Sequence, residues 1–106
     1  MSSIMKQVQI FVDSDILRKN KPLFEYIIHK LIKEGIKTAS VYRSVLSFDE
    51  HRTIKRPDEL FSFDGGIMLI TFIEPEEHVK SILNLLKEDL NQCVVVTHNV
   101  EYFKYD

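Results

Sequence analysis

The sequence predicts an α+β protein in which two helices cover one face of a four-stranded antiparallel sheet. Three observations carry that reading. Strand-like and helix-like segments follow one another in the order β-α-β-β-α-β. Each helix-like segment opens on a proline. The apolar spacing switches between two residues and three to four residues as one element gives way to the next.

The first strand is QVQIFVD, residues 7–13, alternating and rich in β-branched and aromatic side chains. Pro22 then suits the first turn of a helix, where its missing N–H would have no partner in any case. The helix runs through LFEYIIHKLIKEG, with Leu23, Phe24, Ile27, Ile28, Leu31 and Ile32 on one side and Glu25, His29, Lys33 and Glu34 on the other. Gly35 is a natural stop. Residues 38–48, TASVYRSVLSF, read as the second strand and 67–74, IMLITFIE, as the third. Pro75 opens the second helix, PEEHVKSILNLLKEDLN, whose first turn places Glu76 and Glu77 at the positive end of the helix dipole. Val79, Ile82, Leu83, Leu86 and Leu90 form its stripe. Residues 93–100, CVVVTHNV, give the fourth strand, and EYFKYD ends the chain. This is the split, ferredoxin-like arrangement. No linker, low-complexity segment or repeat by identity divides it, so residues 1–106 read as one domain.

Composition narrows the classes. Hydrophobic residues make up 44% and charged residues 28% of the 106, ordinary values for a folded protein. A net charge of −2 offers no general attraction to nucleic acid or acidic membranes. The single Cys93 allows no internal disulfide and fits a reducing compartment. The start, MSSIMKQVQIFV, has neither a basic leader nor a small-residue cleavage site, and no run reaches the roughly 20 apolar residues of a membrane span. The expected location is the cytoplasm.

A sheet with helices on one side should alternate apolar and polar residues. The third strand does not: Ile67, Leu69 and Ile73 point one way and Met68, Ile70 and Phe72 the other. The second repeats this with Val41 and Val45 against Tyr42, Leu46 and Phe48. Two helices cannot cover both faces, so the second face is expected to be an interface between copies of the chain. The competing reading folds Tyr102, Phe103 and Tyr105 back over it as a lid.

The two middle strands are joined by SVLSFDEHRTIKRPDELFSFDGG, residues 44–66, where a tight turn would do. His51, Arg52, Lys55 and Arg56 lie in it, flanked by Asp49, Glu50, Asp58 and Glu59.

At this point the chain resembles the uncharacterised branch of PII-like signalling proteins, which are related to the nitrogen regulatory PII proteins. The residues that carry the likeness are Ser14-Asp15, Lys21-Pro22-Leu23-Phe24-Glu25, Gly35-Ile36 and the strand from Ala39 to Arg43. The match is specific over residues 10–48 and rests on pattern over 66–100. The resemblance implies a homotrimer and a small anionic effector, of adenine nucleotide type, bound in clefts between subunits. It also makes 48–65 a mobile loop that reports binding to a target such as a membrane transporter or an enzyme. One departure stands out. Where the branch continues Arg-Gly-x-x-Gly-Phe-Gly, this chain has Ser44, Ser47 and Asp49 in place of the glycines. Glycine allows the close backbone approach that cradles phosphate, and Asp49 adds negative charge there.

The candidate ligand-binding residues are Arg43, Ser47, Arg52, Lys55, Lys87 and Lys104. Arg43 has a planar fork suited to phosphate or carboxylate; the structural reading gives it an ion pair between subunits, with Asp13, Asp15 or Glu74, instead. Ser44 and Ser47 are hydroxyl donors at the loop's base. Lys87 and Lys104 are cations that a neighbouring chain would bring. His29 and His78 read as exposed, and Asp13, Ser14 and Asp15 as an Asx or Ser turn. His98 with Cys93 or His51 lacks metal-ligand spacing, so no metal and no catalytic residue is assigned. A small ferredoxin-fold enzyme and a metal-binding trimer are the alternatives. The first lacks a paired nucleophile and base, and the second lacks paired cysteines. An RNA-binding domain would need more aromatic and basic residues on IMLITFI.

Overall fold

The computed structural model describes residues 4–48, 50, 54–55 and 66–105. Its main sheet consists of β1 (Met5–Asp13), β2 (Ser40–Arg43), β3 (Ile67–Pro75) and β4 (Val94–Val100), in the spatial order β2-β3-β1-β4 and antiparallel throughout. Two helices, α1 (Leu23–Lys33) and α2 (Glu76–Leu85), pack on one face. The predicted order β-α-β-β-α-β is therefore the order of the fold.

Register assigns each side chain to a face, because residues directly opposite in adjacent strands point the same way. Val8 faces Phe72, Ile10 faces Ile70, and Val12 faces Met68. Val8, Ile10, Val12, Ile70 and Phe72 join Leu23, Ile27 and Leu31 of α1 and Val79 and Ile82 of α2 in the buried core. Phe72 and Met68 thus belong to the helix side. The other face carries Phe11, Leu69 and Ile73, with Tyr42 on β2 and Val94 and Val96 on β4. Tyr42 is 58% exposed, Ile73 37% and Val94 62%. Among the described residues no helix covers this face. Nor do the C-terminal aromatics close it: Phe103 and Tyr105 are 67% and 87% exposed, and only Tyr102 reaches its margin.

Helix ends follow their local chemistry. Gly35, at φ 86°, ends α1 in a Schellman turn: its N–H donates to the Ile32 carbonyl (3.1 Å) and the Ile36 N–H to that of Leu31 (3.0 Å). Ile36, now turned inward, is buried.

Three expectations need correction. β2 stops at Arg43 rather than running to Phe48. The Ser44 hydroxyl accepts the Ile67 N–H (2.9 Å) while the Ser44 N–H donates to the Ile67 carbonyl (2.9 Å), and the chain then leaves the sheet. Ser47–Phe48 pair instead with Ile54–Lys55 in a separate two-stranded ribbon, so part of the 48–65 connection is regular structure. The second helix ends at Leu85; a turn and a 3-10 segment, Asp89–Gln92, keep Leu86 buried and Leu90 packed on the core. The remaining loop positions named above (Asp49, His51, Arg52, Arg56, Asp58 and Glu59) lie outside the described residues.

A further element precedes α1. Leu17–Arg18 and Lys21–Pro22 form a two-residue hairpin around Lys19 and Asn20, both at positive φ (52° and 66°) as a type I′ turn requires.

Candidate functional site

The 44–66 connection leaves and re-enters the sheet beside the end of β1. There the Asp13 Oδ1 accepts the Asp15 N–H (2.8 Å), an Asx turn as the sequence predicts, and the Ser14 N–H donates to the Gly66 carbonyl (3.2 Å). Beside this junction lies a 310 Å³ cleft lined by Phe11, Tyr42, Arg43, Ser44, Ile67 and Leu69. Arg43 is the last residue of the edge strand, half-buried, opposite Met68 and engaged within the chain. Ser44 serves the fold by capping β3. Ser47 is half-buried in the ribbon, opposite Lys55, and Arg52 lies outside the described residues. Lys87 is exposed in the turn after α2.

A second cleft, of 320 Å³, opens at the opposite end of the sheet between Tyr102 and the segment Thr38–Ser40, with Gln7, Thr71 and Ile73 in its floor. The floor is polar in the middle. His98 Nε2–H donates to Gln7 Oε1 (2.9 Å), and Gln7 Nε2–H donates to Thr71 Oγ1 (3.3 Å). The β2 ladder stops at Ser40 opposite Thr71, so among the described residues Ile73, the next residue whose backbone points toward β2, has no strand beyond it. Lys104 lies exposed in the segment after β4, at this end.

The two ends are far apart. Arg43 lies opposite Met68, which lies opposite Val12, while Val100 lies opposite Met5. Seven residues of β1 separate them, about 23 Å at about 3.3 Å per residue. One chain therefore does not bring Lys104 to Arg43.

The sequence reading missed the principal buried charge. The side chain of Asp89, 2% exposed, accepts a hydrogen bond from Lys30 Nζ on one oxygen (2.9 Å), while Arg18 Nη2 lies 3.2 Å from the other as an ion pair without hydrogen-bond geometry. Both cations also lie over the Tyr26 ring, at 5.6 and 4.9 Å from its centroid. The hydrogen bond to Asp89 raises the Lys30 pKa above its ordinary value. One signal was available: Asp89 follows Leu86 by three residues and Ile82 by seven, an acid in the position of a stripe residue.

His78 is half-buried rather than free in solvent. Its Nδ1 meets Glu74 Oε1 (2.8 Å) and its Nε2 the Glu34 carbonyl (3.2 Å). Two acceptors require two ring N–H groups, so the site favours the imidazolium, and the hydrogen bond to Glu74 raises the pKa. Burial raises that of Cys93, whose thiol makes a long contact to the Asp89 carbonyl (3.9 Å). Such a thiol is a poor nucleophile. Among the described residues no three His, Cys, Asp or Glu side chains converge on one point, and no helix is long and apolar enough to cross a membrane.

The DUF190 family, described as "Uncharacterized ACR", matches residues 5–102. A UPF0166 protein of Aquifex aeolicus (strain VF5) is 23% identical over 92 residues, which cover 86% of this chain and 87% of that protein. Among solved structures, CPII, a nitrogen regulatory PII-like protein from Thiomonas intermedia K12 bound to ADP, AMP and bicarbonate, is similar at a TM-score of 0.65. It is 18% identical, with 91% of this chain and 85% of CPII covered. A functionally unknown protein from Pediococcus pentosaceus ATCC 25745 is similar at a TM-score of 0.62 and 12% identity, covering 98% and 100% of the two chains. At these identities the structural likeness shows a shared fold.

Proposed function

The chain belongs to the DUF190 family and has the PII-like fold, and from that premise we propose that it acts as a homotrimeric regulator of PII-like type. Its effector is a small anion of adenine nucleotide type, bound between subunits and reported through the loop 48–65. The observation that carries this reading is the helix-free face, with Phe11, Tyr42, Leu69, Ile73, Val94 and Val96 on it and nothing of the described chain over them. Fully burying one such side chain is worth about 1.5–3 kcal/mol, so association through this face has a large driving force.

Association also gives the clefts a purpose. Each chain opens one cleft at the Arg43 end and another at the Tyr102 end, too far apart for one small ligand to span within a chain. Across a subunit boundary the Arg43 end of one chain meets the Lys104 end of the next. Arg43, Ser47, Arg52 and Lys55 then supply the anion contacts, with Lys104 from the neighbour. Lys87, at the Arg43 end, belongs with the first chain. Because Ser44 and Ser47 replace glycines, phosphate is held here by side chains rather than by a backbone cradle. CPII binding of ADP and AMP supports the nucleotide class.

A thermal-shift screen over ADP, AMP, ATP and bicarbonate, followed by calorimetric titration, tests the reading. Arg43→Ala should weaken binding of the nucleotide so found by about 1.5–3 kcal/mol, the range for a charge-assisted hydrogen bond. Equal affinity of mutant and wild type would remove Arg43 from the site.

A further inference from the structure

Charged residues make up 28% of the chain, yet the described strand residues that register places on the helix-free face include no Lys, Arg or Glu. Asp13 stands at one end of that face, tied into its Asx turn. Among these strand residues the one side chain that can gain a positive charge is His98. Resting on the reading that copies of the chain join through this face, we propose that His98 makes the junction acid-sensitive: copies join while the imidazole is neutral and part when it takes up a proton.

Position comes first. His98 lies opposite Gln7, and Gln7 opposite Ile73, so the three form one row across the face. Along β4 the ring stands between Val96 and Val100, which point the same way. Ile73 and Val96 are 37% and 41% exposed, and these are side chains that association has to cover. A copy that covers Ile73 in the same row and Val96 and Val100 on the same strand covers the ring as well.

Chemistry comes second. The Gln7 amide nitrogen donates to Thr71, so its oxygen accepts from His98 Nε2–H, and the neutral ring has Nδ1 as an acceptor. A second proton turns Nδ1 into a donor and charges the ring. In the single chain His98 is exposed, and water supports that charge. Covered by a copy, the charge would lose its water among apolar side chains, which is costly without an acidic partner. The described neighbours on this face supply none: β1 brings Gln7 with Met5 and Gln9 beside it, and β3 brings Ile73. Tyr102, beyond the strand and near Gln7, is a phenol, a group uncharged at neutral pH. Lys6 points to the helices, where it pairs with Glu76 (3.9 Å), while Glu101 and Lys104 follow the strand, exposed. The separate chain therefore takes up the proton more readily than the assembled one, and assembly weakens as pH falls.

The test is sedimentation equilibrium of the full chain, without nucleotide, at about pH 8 and about pH 5.5, on either side of the ordinary histidine range. Wild type is compared with His98→Gln, which keeps a donor for Gln7 but takes up no proton. Each of the three histidines of a trimer should cost wild type up to about tenfold in association constant per pH unit on the acid side. His98→Gln should lose far less. Circular dichroism checks that both chains stay folded, and the His78 contact, which strengthens toward acid, does not mimic the loss. Equal association of wild type at the two pH values, or an equal acid loss in His98→Gln, would overturn this inference and leave the trimeric reading standing. Tighter association in acid would place a carboxylate of the neighbour against the ring and overturn it too. A wild type that is monomeric at both values would refute the trimeric reading itself, and this inference with it.

Discussion

Replacing Asp89 by alanine removes a carboxylate that two cations share, and the structure fixes how much that should cost. The charge-assisted hydrogen bond from Lys30 is worth about 1.5–3 kcal/mol when both groups stay in place, and the Arg18 ion pair, which lacks a hydrogen bond, about 0–1 kcal/mol. Here the Arg18 and Lys30 side chains are 39% and 32% exposed, so once freed they turn to water and recover most of their hydration. Removing the carboxylate also relieves its own desolvation, since it is only 2% exposed. The net loss for Asp89→Ala should be about 2 kcal/mol. Lys30→Ala should cost at least as much, because it leaves the buried carboxylate with one partner. Asp89→Leu should cost clearly less than Asp89→Ala, because a leucine there continues the stripe of Ile82 and Leu86. Urea unfolding at fixed protein concentration measures all three as shifts of midpoint at constant m. A double-mutant cycle on Lys30 and Asp89 isolates their coupling. An Asp89→Ala variant within about 0.5 kcal/mol of wild type, with no coupling in the cycle, would refute the assignment of this cluster as the tie between α1 and the 3-10 segment.

Two further outcomes follow from the same structure. The folded state raises the His78 pKa, so the contribution of this histidine to stability is complete below the unfolded value of 6.5 and fades as pH rises through the folded value. The unfolding midpoint should therefore fall across that interval in wild type, and the fall should be smaller in His78→Gln; identical pH profiles would exclude the imidazolium. Gly35→Ala meets no neighbouring atom, so its penalty is conformational alone. A left-handed cost of about 1–2 kcal/mol, less about 0.4–1 kcal/mol from the stiffer unfolded chain, leaves a destabilisation of about 1 kcal/mol in urea.

Much of the fold was legible because period and punctuation agree. Pro22 and Gly35 bracket α1, and the apolar residues of β3 fall on two faces, one packed against the helices and the other bare in the single chain. Reading failed where apolar pattern outlasts regular structure. Val45, Leu46 and Phe48 extend the alternation of β2, yet the Ser44 hydroxyl closes the ladder and the chain pairs locally instead. Leu86 and Leu90 extend the stripe of α2, but they pack on the core from a turn and a 3-10 segment. The site was less legible. A sequence shows that Arg43 and Lys104 are cations; only strand register shows that they sit at opposite ends of the sheet. Asp89 was hidden because an acid in an apolar stripe declares its partners, Arg18 and Lys30, only when the hairpin folds against α1.

The central claim is that the helix-free face joins copies of this chain, and sedimentation velocity tests it most directly. Wild type at micromolar concentration should sediment as a species of three times the 12.5 kDa chain. Leu69→Asp, which places a charge on that face while leaving Ile70 and Phe72 in the core, should sediment as a folded monomer. A monomeric wild type, or a Leu69→Asp variant that remains a trimer, would contradict the account.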